Sequence, residues 1–196
     1  MSLTKLLKEV RGCTACADLP LGPRPVLVAA RSARILIVGQ APGTRVHETG
    51  IPWNDPSGDR LRSWMDVGRD AFYDPRRFAI VPMGFCYPGK GKSGDLPPRP
   101  ECAPLWHERI LNELPNLRLK ILAGSYAHAY YLAGRRKKTL TETVRASEEY
   151  GEGTIPLPHP SPRNNLWLRK NPWFEKRLVP RLQSTVRKVL ARGERL

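Results

Sequence analysis

Short apolar runs and amphipathic stretches alternate along the chain, and this alternation predicts its fold. Four runs have the continuous aliphatic character of strands buried on both faces of a parallel sheet, although prolines limit the pairing of the last. These runs are residues 34–39 (RILIVG), 78–83 (FAIVPM), 119–124 (LKILAG) and 154–158 (TIPLP). Because helical stretches separate them, we expect an α/β fold with three layers, α/β/α, around a central, mostly parallel four-stranded sheet.

The amphipathic stretches have the spacing of helices. Ser57 and Thr139 stand at the start of two of them as plausible N-caps, and Pro180 is expected to break or restart the last. The stretches are residues 3–11, 57–66, 103–113, 125–133, 139–148 and 172–192. The 196 residues, 40% of them apolar, suffice for one core, so residues 1–196 are expected to form a single domain.

The surface is strongly basic. The chain has 33 Lys and Arg against 18 Asp and Glu, a formal charge of +15, which attracts polyanions such as nucleic acid. Ribosomal association or a membrane surface would explain the charge equally well. No apolar run could span a bilayer, no secretory segment is evident and no apolar stripe is left over. We therefore expect a cytoplasmic monomer that does not enter membranes.

Three loops that follow the predicted strands are rich in Gly, Pro and polar residues. They are residues 39–53 (GQAPGTRVHETGIPW), 84–102 (GFCYPGKGKSGDLPPRPEC) and 159–165 (HPSPRNN). Because the carboxyl ends of parallel strands lie at one edge of a sheet, these loops are expected to converge on one cleft.

The chain has four cysteines, two of them in a C-x-x-C pair. They are Cys13, Cys16, Cys86 and Cys102. Stable disulfides are uncommon in a cytosolic protein, so a close pair with two distant thiols indicates a metal or cluster site. The alternative is four unrelated buried thiols. Four thiolates suit a [4Fe–4S] cluster and zinc alike, so the residues alone do not separate the two.

Two of the loops carry motifs that resemble a known family. Residues 39–43 (GQAPG), with His47, Glu48 and residues 50–53 (GIPW), resemble the first active-site motif of the uracil-DNA glycosylase superfamily. Residues 159–163 (HPSPR) resemble its second motif.

The cysteines are similar to those of the iron–sulfur branches known as families 4 and 5. There a C-x-x-C near the N-terminus joins two later cysteines separated by a Pro-rich loop. The whole resemblance covers residues 13 to about 165 and identifies the chain as a divergent bacterial member. It implies a [4Fe–4S] cluster, rather than zinc or no metal, and damaged DNA as the partner. Such enzymes flip a damaged base into a pocket and hydrolyse its glycosidic bond.

The resemblance assigns roles to residues of both motifs. His159 would stabilise the leaving base through a hydrogen bond, and Trp53 would be the aromatic platform beneath it. The alternatives are a histidine that only orders its Pro-rich loop and a tryptophan that only fills the core. The residues expected to contact the base are Gln40, Ala41, Pro42, Gly43, Trp53, Pro82 and Met83.

The carboxylate that would activate water is less evident in the sequence. Better-known members carry Asp at the position of Ala41 or Glu at that of Gln40, and this chain has neither. We expect Glu48 to orient water or stabilise the developing cation, assisted by Gln40. The alternative is that Glu48 forms a surface ion pair with Arg45.

Base specificity and DNA contacts follow from the same loops. Pro82 stands where related enzymes often have an Asn that recognises uracil, so the pocket is expected to accept uracil and deaminated purines, hypoxanthine or xanthine. The residues expected to hold DNA phosphates are Ser161, Arg163, Asn164, Lys90, Lys92 and Arg99.

A monofunctional DNA glycosylase that leaves an abasic site is therefore the expected activity. One alternative is a catalytically weak protein that binds uracil-containing or abasic DNA. Another is an iron–sulfur or zinc protein that binds nucleic acid, RNA included, without recognising a lesion.

Overall fold

The computed structural model of the chain describes residues 2–92 and 94–191. Its strands are β1 (Ile35–Val38), β2 (Phe78–Ile80), β3 (Lys90–Gly91), β4 (Gly94–Asp95), β5 (Leu119–Ala123) and β6 (Thr154–Leu157). Strands β1, β2, β5 and β6 form a parallel sheet in the order β2-β1-β5-β6. Strands β3 and β4 form a separate antiparallel hairpin.

Helices flank the central sheet. They are α1 (Leu3–Arg11), α2 (Thr44–Thr49), α3 (Pro56–Met65), α4 (Arg69–Tyr73), α5 (Cys102–Asn112), α6 (Ser125–Leu132), α7 (Leu140–Arg145), α8 (Asn165–Lys170) and α9 (Val179–Ala191). Short 3₁₀ turns lie at Ala133–Arg135, Ser147–Tyr150 and Pro162–Asn164, and a π-helical turn at Phe174–Leu178. No helix in the described ranges is long and apolar enough to cross a membrane.

Alternating side chains of β1 build two cores, one on each face of the sheet. Leu36 and Val38 pack on one face with the apolar sides of α1, α5 and α6. Ile35 and Ile37 pack on the other with α3, α4, α7 and α9. The predicted three-layer α/β/α fold with a parallel four-stranded sheet is therefore confirmed. Pro156 is tolerated because β6 is an edge strand.

Two predicted helix boundaries changed. The N-cap of α3 is Asp55, whose side chain accepts a hydrogen bond from the Gly58 amide at 2.8 Å, so the prediction of Ser57 as the cap is wrong. The reason is Pro56, whose fixed φ suits the first helical position and starts the helix earlier. The predicted helix over residues 139–148 ends at Arg145 and continues as a 3₁₀ turn.

The last helix begins afresh beside Pro180, as predicted. The turn before it, Phe174–Leu178, is π-helical, and Pro180 is the second residue of α9. A proline has no amide hydrogen and clashes with the carbonyl four residues earlier. The chain therefore forms a wider π-helical turn before the proline, and regular α-helix starts again at Val179. Residues 192–196 lie outside the described ranges, so the predicted end at residue 192 is not described.

Candidate active site

A cavity of about 460 Å³ opens at the carboxyl edge of the central sheet. Segments that follow all four parallel strands line it, together with the β3–β4 hairpin. The lining includes residues 39–43 after β1, Pro82 after β2, Tyr126 after β5, and His159, Ser161, Arg163 and Asn164 after β6. The predicted convergence of the three loops on one cleft is therefore confirmed. The volume lies within the range of small-molecule sites.

Trp53 forms one wall of this cavity and is held tightly. Its backbone is left-handed, with φ 57°, and its carbonyl oxygen accepts hydrogen bonds from Tyr73 Oη at 3.2 Å and Arg62 Nη1 at 3.4 Å. A Cβ at Gly39 would lie 2.5 Å from the indole, and one at Gly58 would lie 1.8 Å from the Trp53 carbonyl oxygen. The indole is therefore both a core residue and a fixed aromatic surface of the cavity.

His159 lies against Trp53 at the end of β6. The two ring centroids are 5.5 Å apart, with the planes inclined by 31°. The main chain at His159 is held by Asn164, whose Nδ2 donates to the His159 carbonyl oxygen at 2.6 Å. No described residue forms a hydrogen bond with the imidazole ring itself. Burial lowers the pKa of His159 to about 4, so the ring is neutral at ordinary pH and has one N–H to donate.

Among the described residues two carboxylates line the cavity, and Glu48 is not one of them. Asp55 lies there as the cap of α3, and burial raises the pKa of its carboxyl group. Asp95 of the hairpin lies across from Gly43, where a Cβ would be 3.4 Å from the Asp95 Oδ2 atom. The side chain of Glu48 is exposed, and its backbone carbonyl accepts a hydrogen bond from Arg24 Nη1 at 3.2 Å.

The other expected base contacts are divided between cavity and interior. Gln40, Ala41, Pro42, Gly43 and Pro82 line the cavity. The amide nitrogen of the Gln40 side chain donates to the carbonyl oxygen of Leu96 at 3.2 Å, which ties the first motif to the Pro-rich loop. Met83 is buried and lies outside the lining, and its backbone amide donates to the Gly39 carbonyl at 2.9 Å.

Arg60 joins the two motif-bearing segments. From α3 its Nη1 donates to the Ser161 carbonyl oxygen at 3.0 Å, and its Nη2 donates to Asn165 Oδ1 at 2.7 Å. The loop that carries His159 is therefore anchored to the helix capped by Asp55. Sequence reasoning did not find Arg60, because no local motif marks a contact between residues so far apart in the chain.

The expected phosphate-binding residues fall into two groups. Ser161, Arg163 and Asn164 line the cavity, while Lys90 and Lys92 are exposed on the hairpin beside it. Arg99 lies elsewhere, next to the cysteines, and forms a salt bridge with Asp18.

All four cysteines line a second, small cavity of about 30 Å³. Backbone amides point at two of the sulfur atoms: Phe85 N donates to Cys102 Sγ at 3.4 Å, and the Arg24 amide donates to Cys86. Burial raises the pKa of Cys86 to about 11 and that of Cys102 to about 12, so as free thiols they are protonated. Within residues 2–92 and 94–191, no three His, Cys, Asp or Glu side chains are grouped to hold a single metal ion.

The sequence carried some signals for the residues that prediction missed. Asp55 followed by Pro56 is a typical helix start, which would have placed this carboxylate on α3 beside the first motif. Asp95 carried no such signal, because only the fold of the Cys86–Cys102 loop brings it to the cavity.

A comparison with known protein families agrees with this geometry. The family model of the Uracil DNA glycosylase superfamily matches residues 25–183, about four fifths of the chain. The match includes every described residue that lines the cavity at the carboxyl edge of the sheet. The chain therefore belongs to the uracil DNA glycosylase superfamily.

Proposed function

We propose that this protein is a monofunctional DNA glycosylase that removes deaminated bases and leaves an abasic site. Membership in the superfamily indicates DNA glycosylase activity in general, with DNA as the partner. The observation that carries the finer proposal is the neutral, partly buried His159 against the fixed indole of Trp53, inside a cavity of base-accepting size. A base stacked in a duplex must be flipped out before its glycosidic bond can be reached, and this cavity would receive it.

His159 would stabilise the departing base. When the glycosidic bond breaks, negative charge develops on the base, and a neutral imidazole N–H can donate a hydrogen bond to its carbonyl oxygen. A neutral donor is favoured because burial opposes a second proton on the ring. No hydrogen bond between the imidazole and another described residue has to break before the ring meets the base.

Asp55 is the carboxylate that we assign to the water or to the sugar. It lines the cavity, whereas the Glu48 side chain is exposed and outside the lining. Its carboxylate accepts the backbone amides of Gly58 and Ser57, and a carboxylate has further lone pairs that would orient a water molecule or face positive charge on the sugar. Asp95 faces the same cavity from the hairpin, and its exposed position suits a role in entry more than in chemistry.

The pocket chemistry supports a broad choice of base. Pro82 has no side-chain hydrogen-bond donor or acceptor, so it cannot select uracil by a hydrogen bond to the edge of the base. We therefore propose uracil as a substrate together with a deaminated purine, hypoxanthine or xanthine. No lysine is among the described lining residues, so no side-chain amine is placed for Schiff-base chemistry and strand cleavage.

A cleavage assay tests the proposal. The purified full chain is incubated, with EDTA, with labelled oligonucleotides that contain uracil, hypoxanthine, xanthine, a thymine mismatch or no lesion. We expect strand breaks only after alkali, for uracil and at least one deaminated purine. Breaks without alkali would contradict the monofunctional assignment. Failure to remove any lesion, with tight binding to abasic DNA, would instead support a binding protein.

The cysteines are proposed to hold a [4Fe–4S] cluster. Their shared cavity and the backbone amides aimed at Cys86 and Cys102 fit a cluster whose sulfur ligands are hydrogen-bonded. Zinc would accept the same four thiolates, so the choice of iron rests on the similarity of the cysteine pattern to that of the iron–sulfur branches. Such a cluster carries electrons in other settings, but hydrolysis needs none, so its proposed role is structural.

The proposed cluster would stabilise one wall of the active site. The loop between Cys86 and Cys102 carries Asp95, which lines the cavity, and Leu96, whose carbonyl oxygen accepts the Gln40 amide. Cys13 and Cys16 would join this loop to the end of α1. The cysteines therefore lie where they can fix the loop without touching the substrate.

Metal analysis of the purified chain tests the ligand set. After anaerobic purification we expect about four irons and four sulfides per chain, with visible absorbance. Cys102→Ser is expected to lose most of this iron, whereas Ala15→Ser, which changes the same cavity without removing a thiol, should keep it. Zinc instead of iron, or full iron content in Cys102→Ser, would contradict the proposal. Far-ultraviolet circular dichroism would show whether each variant is folded.

A further inference from the structure

A second large cavity lies at the opposite edge of the central sheet. It has a volume of about 590 Å³ and is lined by residues that precede three neighbouring strands, Arg34 before β1, Arg118 before β5 and Gly153 before β6. Because the active site follows the carboxyl ends of these strands, the two cavities are separated by the sheet, about 13–17 Å for strands of this length. One straight contact with DNA at the active site would not cover both.

The charge of this cavity is unusual even for a basic protein. Its lining contains four cations, Arg34, Arg118, Arg181 and Lys188, against one acid, Glu152. Arg34 and Arg118 are neighbours across the paired strands, since the Arg118 amide donates to the Arg34 carbonyl oxygen at 2.8 Å. Like charges in neighbouring strand positions repel, so the arrangement costs stability unless an anion relieves it.

Helix α9 completes the wall with one face. Arg181, Ser184, Thr185 and Lys188 are three or four residues apart, so their side chains project on the same side of the helix. The Ser184 hydroxyl adds a hydrogen-bond donor to the positive charge, whereas the Thr185 hydroxyl donates to the Arg181 carbonyl oxygen at 2.9 Å. Charged and hydroxyl donors of this kind are typical of sites that bind phosphate oxygens.

The side chains of Arg118 and Arg181 have partners, whereas those of Arg34 and Lys188 have none within the described part of the chain. Arg118 Nη1 donates to the carbonyl oxygens of Leu117 at 3.1 Å and Pro115 at 3.4 Å. Arg181 Nη1 donates to Ser147 Oγ at 3.0 Å and lies 3.6 Å from Glu148 Oε1, with which it forms an ion pair. Arg34 and Lys188 make no side-chain ion pair or hydrogen bond with residues 2–92 or 94–191. These two charges are therefore available to a ligand.

We propose that this cavity is a second site, which binds phosphate groups independently of the glycosylase site. The ligand chemistry is a run of two or more phosphates, because one phosphate would leave much of a cavity with four cations unfilled. Such a run occurs in the backbone of a nucleic acid segment and in a free oligophosphate. With a nucleic acid backbone in the cavity, the protein would hold a second stretch of nucleic acid behind its active site. With a free oligophosphate there, it would bind a soluble anion.

Titration of the full chain with inorganic tripolyphosphate tests the site. Arg34→Gln/Lys188→Gln removes the two unpaired charges, and Lys5→Gln/Lys8→Gln removes two exposed charges from α1 as a matched control. We expect tripolyphosphate to bind the first variant about tenfold more weakly than wild type, and the control within about twofold. Lys188→Glu, a single substitution at an exposed position, provides a second variant if the double variant does not fold. It should also weaken tripolyphosphate binding relative to wild type, because it replaces a positive charge with a negative one.

A second titration, with a short undamaged single-stranded oligonucleotide at several salt concentrations, distinguishes the two sources of phosphate. For a backbone ligand, losing two phosphate contacts should reduce the slope of log K against log salt by about 1.4. For a free oligophosphate the slope should match that of the control. Equal tripolyphosphate affinity in all variants, or an equal loss in the control, would overturn the proposal. Removal of uracil from a short oligonucleotide should not change in either variant, since none of these residues lines the active-site cavity.

Discussion

Replacing His159 with alanine is expected to slow base removal by about 10²–10³-fold, with little change in DNA affinity. The loss corresponds to about 3–4 kcal/mol of transition-state stabilisation, the usual contribution of one preorganised donor to a developing anion. It is expected because the imidazole is partly buried, neutral and makes no hydrogen bond to another described residue, so its N–H is available to the base. Trp53 would keep its position, since Gly39, Tyr73 and Arg62 hold it independently of His159.

Single-turnover kinetics on an oligonucleotide with one uracil would measure this effect. His159→Gln is the matched variant, because an amide keeps an N–H donor near the same place, and it should recover part of the rate. Binding of abasic DNA measures affinity separately and should change by no more than a few fold. A full rate in His159→Ala, or an equal loss in both variants and in DNA affinity, would contradict the assigned role.

His159 should also make the folded state sensitive to acid. Its pKa is lowered from 6.5 to about 4, so the unfolded chain takes up a proton at a higher pH than the folded chain. The free energy of unfolding should therefore fall as pH decreases from about 6.5 to about 4, by at most about 3 kcal/mol from this residue. Urea denaturation at several pH values should show a smaller acid loss in His159→Ala; an unchanged loss would show that the ring is not buried as described.

Asp55→Asn is expected to slow base removal by about 10²-fold or more, whereas Glu48→Gln should leave the rate within about twofold of wild type. The contrast follows from position, because Asp55 lines the cavity and Glu48 is exposed outside it. Asparagine is a good N-cap, so it can still accept the Gly58 amide and start α3. The expected loss is therefore one of charge at the reacting centre and not of folding.

The same single-turnover assay, with thermal unfolding of each variant, would separate chemistry from stability. Asp95→Asn serves as a further comparison, because it removes the other cavity carboxylate from the exposed hairpin. A full rate in Asp55→Asn with a loss in Glu48→Gln would restore the role first expected from the motif. Loss of rate only in Asp95→Asn would transfer the role to the hairpin.

Arg60 explains how distant motifs can act as one site. The two hydrogen bonds from its guanidinium to the Ser161 carbonyl and Asn165 fix the His159 loop relative to α3. Since Asp55 caps the same helix, one side chain sets the separation of the two groups proposed to act on opposite ends of the glycosidic bond. A shift of this loop by about 1 Å would be costly, because catalysis depends on fixed geometry.

Local sequence patterns were enough to predict the layers of the fold and the edge of the sheet at which the site lies. Aliphatic runs separated by helical stretches imply a parallel sheet covered on both faces, and such a sheet places its loops at the carboxyl edge. The motif residues 39–43 and His159 could therefore be assigned to one cleft from the sequence patterns. This worked because strand burial and helix period are local patterns of apolar residues. Short helices such as α2 and α4 were not predicted, because five or six residues are too few to show the helical period of apolar positions.

Which charged groups lie close together depends on the packing of elements that are distant in the chain. The motif favoured Glu48 as the carboxylate, but the turn at Trp53 directs the chain so that Asp55 lines the cavity and Glu48 does not. The pKa of His159 likewise depends on burial by residues distant in sequence. The second basic cavity needs Arg34, Arg118 and α9 to be brought together by strand pairing and helix packing. Distances between side chains on separate elements are set by packing, and no local pattern encodes them.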